Sequence, residues 1–259
     1  MVIVSSVILF SIFIYILFVL IYKNLLFNYY NTKMTNVVFS TDLSILIQII
    51  TGIIGLQGIF LYLSDKNLIL RDVLKLEMTV QFVELFFYIY ILRSMANKGL
   101  SQMAYIRYFD WIITTPTMLL TTIIFYKYEE YIEQKSNKTL EFWSFIKEHK
   151  DNIITIFTCN FFMLLFGYLG EIGAIDMTSS LILGFIFFGM CFYTIYKNYA
   201  SKSKNAKKLF YFVLSIWSIY GIAAVMSPYN KNNMFNILDI FAKNFFGLYL
   251  YYRIRNISQ

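Results

Sequence analysis

A chain of 259 residues that is 59% hydrophobic and 20% aromatic, with 14% charged residues and a mean hydropathy of +0.61, is not composed like a soluble domain. Its apolar residues fall in long blocks without the period-two alternation of an outer-membrane barrel, which excludes that class along with disordered, collagenous and ordinary cytosolic chains. The net charge of +7 does not point to nucleic acid, because the basic residues lie between apolar blocks. Cys159 and Cys191 both sit inside apolar blocks, so neither a disulfide framework nor a metal site is expected.

A bilayer core of about 30 Å needs about 20 apolar residues as helix. Blocks of that length run over 3–22, 37–63, 73–92, 102–126, 152–170, 177–196, 207–227 and 233–252. The first has no charge before Lys23 and no small-residue cleavage site, and a polar linker from Asn28 to Asn36 follows it. It reads as a retained extra helix rather than a signal peptide, which divides the chain into 1–36 and a seven-helix domain over 37–259. The expected fold is an all-α, multi-pass membrane bundle. The stretch 127–151, with six acidic and five basic residues, reads as a solvated loop, and its His149 as a solvated side chain. Lysine and arginine concentrate in Lys127 to Lys150, Lys197 to Lys208 and Arg253 to Arg255. These alternate loops put the C-terminus in the cytoplasm and the start of the seven-helix domain outside.

Ionisable groups within such blocks are costly, and are functional candidates by default. Glu84, Arg107, Asp110, Asp239 and Lys243 stand out. Asp239 and Lys243 are four apart, one turn from each other on one helix face, and Arg107 precedes Asp110 by three. These last four form a neutral set that fits a structural salt-bridge network as well as it fits a functional site.

The surrounding residues add weight to the second reading. Arg107-Tyr108-Phe109-Asp110-Trp111-Ile112-Ile113-Thr114-Thr115-Pro116 closely resembles the third helix of microbial rhodopsins, R-Y-x-D-W-x-x-T-T-P. Leu238-Asp239-Ile240-Phe241-Ala242-Lys243, with Phe246-Gly247 after it, resembles their seventh helix, and Trp217-Ser218-Ile219-Tyr220 their sixth-helix aromatic pair. Asn160, Met163 and Gly167 fall at fourth-helix pocket spacings, and Gly167 to Glu171 is similar to a proteorhodopsin segment. The resemblance covers 37–255.

The resemblance implies all-trans retinal held by Lys243 as a protonated Schiff base, a buried cation that needs counterions. Asp110 and Asp239 take that role, with Arg107 helping to keep them ionised. Trp111 and Trp217 become flat walls along the polyene, and Tyr220, Thr115, Met118, Met163, Gly167 and Cys191 complete the expected pocket. Thr114, one turn from Asp110, is expected to hydrogen-bond its carboxylate. Where family members have a carboxylic acid eleven residues after the counterion, this chain has Thr121, so return of a proton to the Schiff base is expected to be slow or to run through water. Gly221 stands where many members have a proline.

The leading functional expectation is light-driven proton transfer from the Schiff base to Asp110, in a photoreceptor that is not an enzyme. Glu84-Leu85-Phe86-Phe87 resembles the second-helix glutamate segment of channelrhodopsins, so a light-gated channel using Glu84 is the alternative, followed by a sensor. A solute transporter whose charges bind substrate is the reading from outside the family. The expected partners are the lipid bilayer, protons or other small ions, and further copies of the chain as a trimer or pentamer, with no nucleic acid. Gly52, Gly55 and Gly58 suit close helix contact, within the bundle or between copies.

Overall fold

The computed structural model describes residues 32–95, 99–136 and 138–258, with side chains from residue 36 onward. The first apolar block lies outside the described residues. Among those described there is no β-strand, and the chain forms α1 (Thr32–Ile59), α2 (Ile69–Met95), α3 (Leu100–Glu133), α4 (Phe142–Glu148), α5 (Lys150–Glu171), α6 (Met177–Asn198), α7 (Lys204–Ala224), α8 (Pro228–Asp239) and α9 (Phe246–Ser258). A π-helical segment, Ile240–Phe245, joins α8 to α9, so these three pieces form one continuous seventh rod. Five helices among the described residues are long and apolar enough to cross a membrane, namely those of α1, α2, α3, α5 and α6.

The rods close into a ring in chain order, each packing on the next, and the seventh returns to α1. α3 also touches α7 and α8, which places its polar face inside the ring. We call the end where α9 finishes the C-terminal face, and the end where α1 starts the opposite face. Large apolar side chains such as Phe39, Phe60, Phe82 and Tyr193 point outward, as a lipid solvent permits.

Two features of the core explain how the rods come together. α3 contains Pro116, which removes an N–H from the helix, and threonines around it donate to their own backbone: Thr115 to the Trp111 carbonyl (2.7 Å) and Thr117 to that of Ile113 (2.8 Å). α5 meets α6 so closely at Gly170 that an added Cβ would fall 2.3 Å from Ser180 Oγ. The Ser180 hydroxyl then donates to the Phe166 carbonyl at 2.9 Å.

Three expectations need correction. The stretch 127–151 is not a solvated loop. α3 continues through it to Glu133, Glu129 and Glu130 are 1% and 8% exposed, and α4 packs Phe145 into the core. His149 is not a solvated side chain either, because it lies between the rings of Phe145 and Tyr199 at 4.5 and 5.3 Å, and burial pushes its imidazole below the usual histidine range. The linker ends sooner than expected, since α1 is already helical at Thr32. Gly55 and Gly58 face Met78, Leu74 and Tyr251 of this same chain, which accounts for them within the bundle.

Candidate functional site

The π segment presents Lys243 to the middle of the ring, where its Nζ lies 2.5 Å from Asp110 Oδ2 on α3, 3.7 Å from Asp239 Oδ1 and 3.8 Å from Glu84 Oε1 on α2. None of these four side chains is more than 2% exposed. Single π-helical turns are frequent at functional sites, where the extra residue re-aims one side chain without ending the helix.

Asp239 is held from three sides. Tyr88 donates to its Oδ2 at 2.8 Å, Tyr220 to its Oδ1 at 2.7 Å, and Arg107 Nη1 approaches Oδ2 at 3.4 Å while also donating to the Tyr88 hydroxyl at 3.0 Å. Arg107 Nη2 donates to the side-chain oxygen of Asn236, whose amide nitrogen donates to Ser40 (2.7 Å) and Thr41 (3.0 Å) on α1. Three carboxyl groups therefore meet two cations, so the cluster is neutral when it holds one proton more than Lys243 and Arg107 supply. A charge buried this deeply survives only with such partners.

On one side of Lys243 opens a largely apolar cavity between α3, α5, α6, α7 and the seventh rod. Trp111, Thr115, Met118, Met163, Gly167, Trp217, Tyr220 and Lys243 all line it. The rings of Tyr108, Tyr220 and Phe235 stand edge-on around Trp111 at 5.0, 5.4 and 5.0 Å. Asn160 donates to the Thr115 hydroxyl at 2.8 Å, joining α5 to α3 beside the cavity. Apart from the amine and the polar rim the wall is apolar, which fits a long hydrophobic chromophore attached at one end. Retinal has that shape, and Lys243 offers the one amine in the wall.

Two expected residues fall elsewhere. Cys191 does not line the cavity: its thiol lies 3.7 Å from the Ile156 carbonyl, among side chains of the main core. The Thr114 hydroxyl donates to the backbone carbonyl of Asp110 at 3.0 Å and not to its carboxylate, because a helical threonine reaches the carbonyl four residues back most easily. Asp110 Oδ1 is left without a partner. Thr121 lies toward the C-terminal face, fully buried, with its hydroxyl donating to the Thr117 carbonyl at 3.0 Å.

The sequence reading singled out Glu84 but missed the other members of a second set of polar residues. Glu77, Gln81, Glu84 and Tyr88 recur on α2 at intervals of four, three and four, so they form one stripe, and all are buried. Thr41, Ser44, Gln48 and Thr51 form a matching buried stripe on α1. Asn244, next to Lys243, donates to Glu84 Oε2 at 2.9 Å and to Gln81 Oε1 at 3.1 Å, and Thr51 donates to the same Gln81 oxygen at 3.1 Å. The helical spacing was the available signal, hidden within blocks that read as apolar on average.

Comparison with known proteins agrees with this arrangement. The family model described as bacteriorhodopsin-like protein matches residues 39–257. The chain is similar to the crystal structure of viral rhodopsin OLPVRII, with 28% identity over 85% of this chain and 98% of that one and a TM-score of 0.71. It also shares its fold with the rhodopsin of Exiguobacterium sibiricum (17% identity, 88% and 99% covered, TM-score 0.69). The blue light-absorbing proteorhodopsin from Med12 does too (18% identity, 85% and 98% covered, TM-score 0.65). No curated protein sequence matches. The chain belongs to the bacteriorhodopsin-like family, the seven-helix retinal proteins of the membrane.

Proposed function

We propose that this chain is a light-driven proton translocator in which a proton on the Lys243 nitrogen passes to Asp110. The observation that carries the reading is the 2.5 Å approach of Lys243 Nζ, which lines the aromatic cavity, to Asp110 Oδ2. Retinal bound through Lys243 would supply a light-driven isomerisation that turns the nitrogen and its proton relative to the acids around it. Asp110 Oδ1 has no partner and Thr114 is committed to the backbone, so the Asp110 carboxylate is free to accept a proton. Asp239 stays the fixed charge, because Tyr88, Tyr220 and Arg107 already satisfy it. Arg107, Asn236, Ser40 and Asn233 continue as hydrogen-bonded polar groups toward the opposite face, which gives a released proton a direction.

Trp111, Trp217 and Tyr220 would hold the polyene, and Met118, Met163, Gly167 and Thr115 would shape its surroundings. The cavity wall gives no reason to include Cys191.

The test is photocurrent against voltage after adding all-trans retinal. A translocator gives a current of one sign across moderate voltages, and Asp110→Asn abolishes it while the coloured pigment still forms. A chain that stays colourless with retinal, or an Asp110→Asn variant with undiminished current, would overturn the reading.

A second reading, a light-gated cation path through the same bundle, is favoured by one observation. Gln48, Glu77, Gln81, Glu84 and Asn244 all carry buried polar atoms without partners, on facing stripes of α1, α2 and the seventh rod. Such atoms are ordinarily satisfied by water, and a hydrated column lined by carboxyls and amides suits cations. In that case the current reverses with voltage, and Glu84→Gln changes its ion preference.

A further inference from the structure

The cavity beside Lys243 carries a second charge, which the proton-transfer reading does not use. Among its described lining residues only Lys243 and Glu171 are charged, and they stand across the ring from each other, Lys243 on the seventh rod and Glu171 at the end of α5. Lys231 of α8 donates to both carboxyl oxygens of Glu171, at 2.9 Å to Oε1 and 2.8 Å to Oε2. A carboxylate offers both oxygens as acceptors in this way, and each of the two side chains is only 7% exposed. Lys231 is not among the lining residues, so the pair turns its negative member toward the cavity.

The direction of this pair runs against helix stability. Glu171 is the last residue of α5, where the helix dipole presents its negative end, and Lys231 is in the first turn of α8, near that helix's positive end. Exchanging the two charges would keep the ion pair and suit both dipoles. A tie that served only to hold α5 to α8 would be better made the other way round. The position of Glu171 is also rigid. Gly170 before it packs against Ser180 of α6, and Gly173, at a φ of +74°, ends the helix two residues later.

We propose that Glu171 sets the colour of the pigment, by placing a negative charge at the far end of the polyene that Lys243 holds. This rests on the reading that Lys243 holds retinal as a cation, and it does not need the proton transfer. Absorption of light by such a cation moves positive charge from the nitrogen along the polyene, away from Lys243. A carboxylate at the far end therefore stabilises the excited state more than the ground state, which narrows the gap and moves the band to longer wavelength. Asp110 and Asp239, beside the nitrogen, act in the opposite sense. The wall between the two ends is mostly apolar, and a charge acts over a longer distance there than in water. Lys231, set behind Glu171, cancels only part of this field.

The test uses the full chain in lipid with all-trans retinal, read by the visible band, together with thermal unfolding of the chain before retinal is added. Glu171→Gln combined with Lys231→Gln removes both charges, and is expected to move the band to shorter wavelength. Glu171→Arg combined with Lys231→Glu turns the cation inward, with arginine chosen because it forms no Schiff base. It is expected to move the band further in the same direction while unfolding at no lower temperature than the wild type. With a retinal whose ring-side double bonds are reduced, the charge cannot travel to Glu171, so both shifts should shrink severalfold. Shifts that came from an altered cavity shape would persist. A wild-type band in the neutral or the exchanged variant, a shift to longer wavelength in either, or shifts undiminished with the shortened polyene would overturn the assignment alone. If the exchanged variant does not fold, the neutral one carries the test. A wild-type chain that stays colourless with retinal would overturn the retinal reading, and this one with it.

Discussion

Lys243 is surrounded by carboxyl groups that are unequal in their support, and under the proposed proton transfer that inequality divides the work between them. Asp239 accepts from two tyrosines and an arginine, whereas Asp110 has one oxygen without a partner. Asp239→Ala is therefore expected to leave Arg107 buried and uncompensated, and to lower the stability of the folded protein by about 3–5 kcal/mol. Thermal bleaching or denaturant unfolding of the two proteins measures this, and a loss below about 1 kcal/mol would mean that Asn236 and Tyr88 alone satisfy the guanidinium. Arg107, Asp110, Asp239 and Lys243 were legible in the sequence because a charge within an apolar block is conspicuous, and because their neighbours carried a recognisable pattern. Glu77 was not, although it lies only seven residues before Glu84: it meets Thr121, from another helix, and no spacing along one helix reveals that contact. For Thr114 the residue was legible but its bond was not, since the choice between a backbone and a side-chain acceptor is made by local rotamer geometry.

The helices themselves followed from hydrophobic block length, since a lipid solvent requires every backbone group to be satisfied within the segment. What block length did not reveal is the break in the seventh rod, where the π segment turns Lys243 toward Asp110. Nor did it reveal how α7 meets α6. At Gly221, where the family pattern led us to consider a missing proline, an added Cβ would come 2.3 Å from the ring of Phe185, and both residues line the cavity. Absence of a side chain there makes room for an aromatic ring. Gly221→Ala is expected to push the Phe185 ring aside, shift the visible band and cost about 1–3 kcal/mol. Adding Phe185→Leu should recover most of both effects, and a single variant with wild-type spectrum and stability would show that the ring moves freely toward the lipid. The charged stretch 127–151 misled for a related reason. Its charges are real, but those of Glu129 and Glu130 point into the bundle, and charge density along a sequence carries no information on which way a helix faces.

At the scale of the whole ring, one buried acid joins rods that are far apart in sequence. Glu129 on α3 accepts from Arg253 Nε at 3.1 Å on α9 and from Asn205 at 2.8 Å on α7, which closes the C-terminal face. Glu129→Gln is expected to loosen this end, lowering stability by about 1–3 kcal/mol, less than for a fully buried pair because Arg253 is 32% exposed. A double-mutant cycle with Arg253→Met should recover most of that loss as coupling, whereas independent, additive losses would show that the ring closes without this tie. By itself the sequence determined that the chain is a membrane bundle, where the seven described rods run and which lysine and acids stand out within them. These depend on composition, block length and local motif, all properties of neighbours along the chain. Only the tertiary structure decided which acids keep an unpartnered oxygen beside Lys243, that α1 and α2 turn polar stripes toward the seventh rod, and that Glu77 reaches Thr121. Each of these is a contact between helices, set by the rotation of one rod against the next as the ring closes.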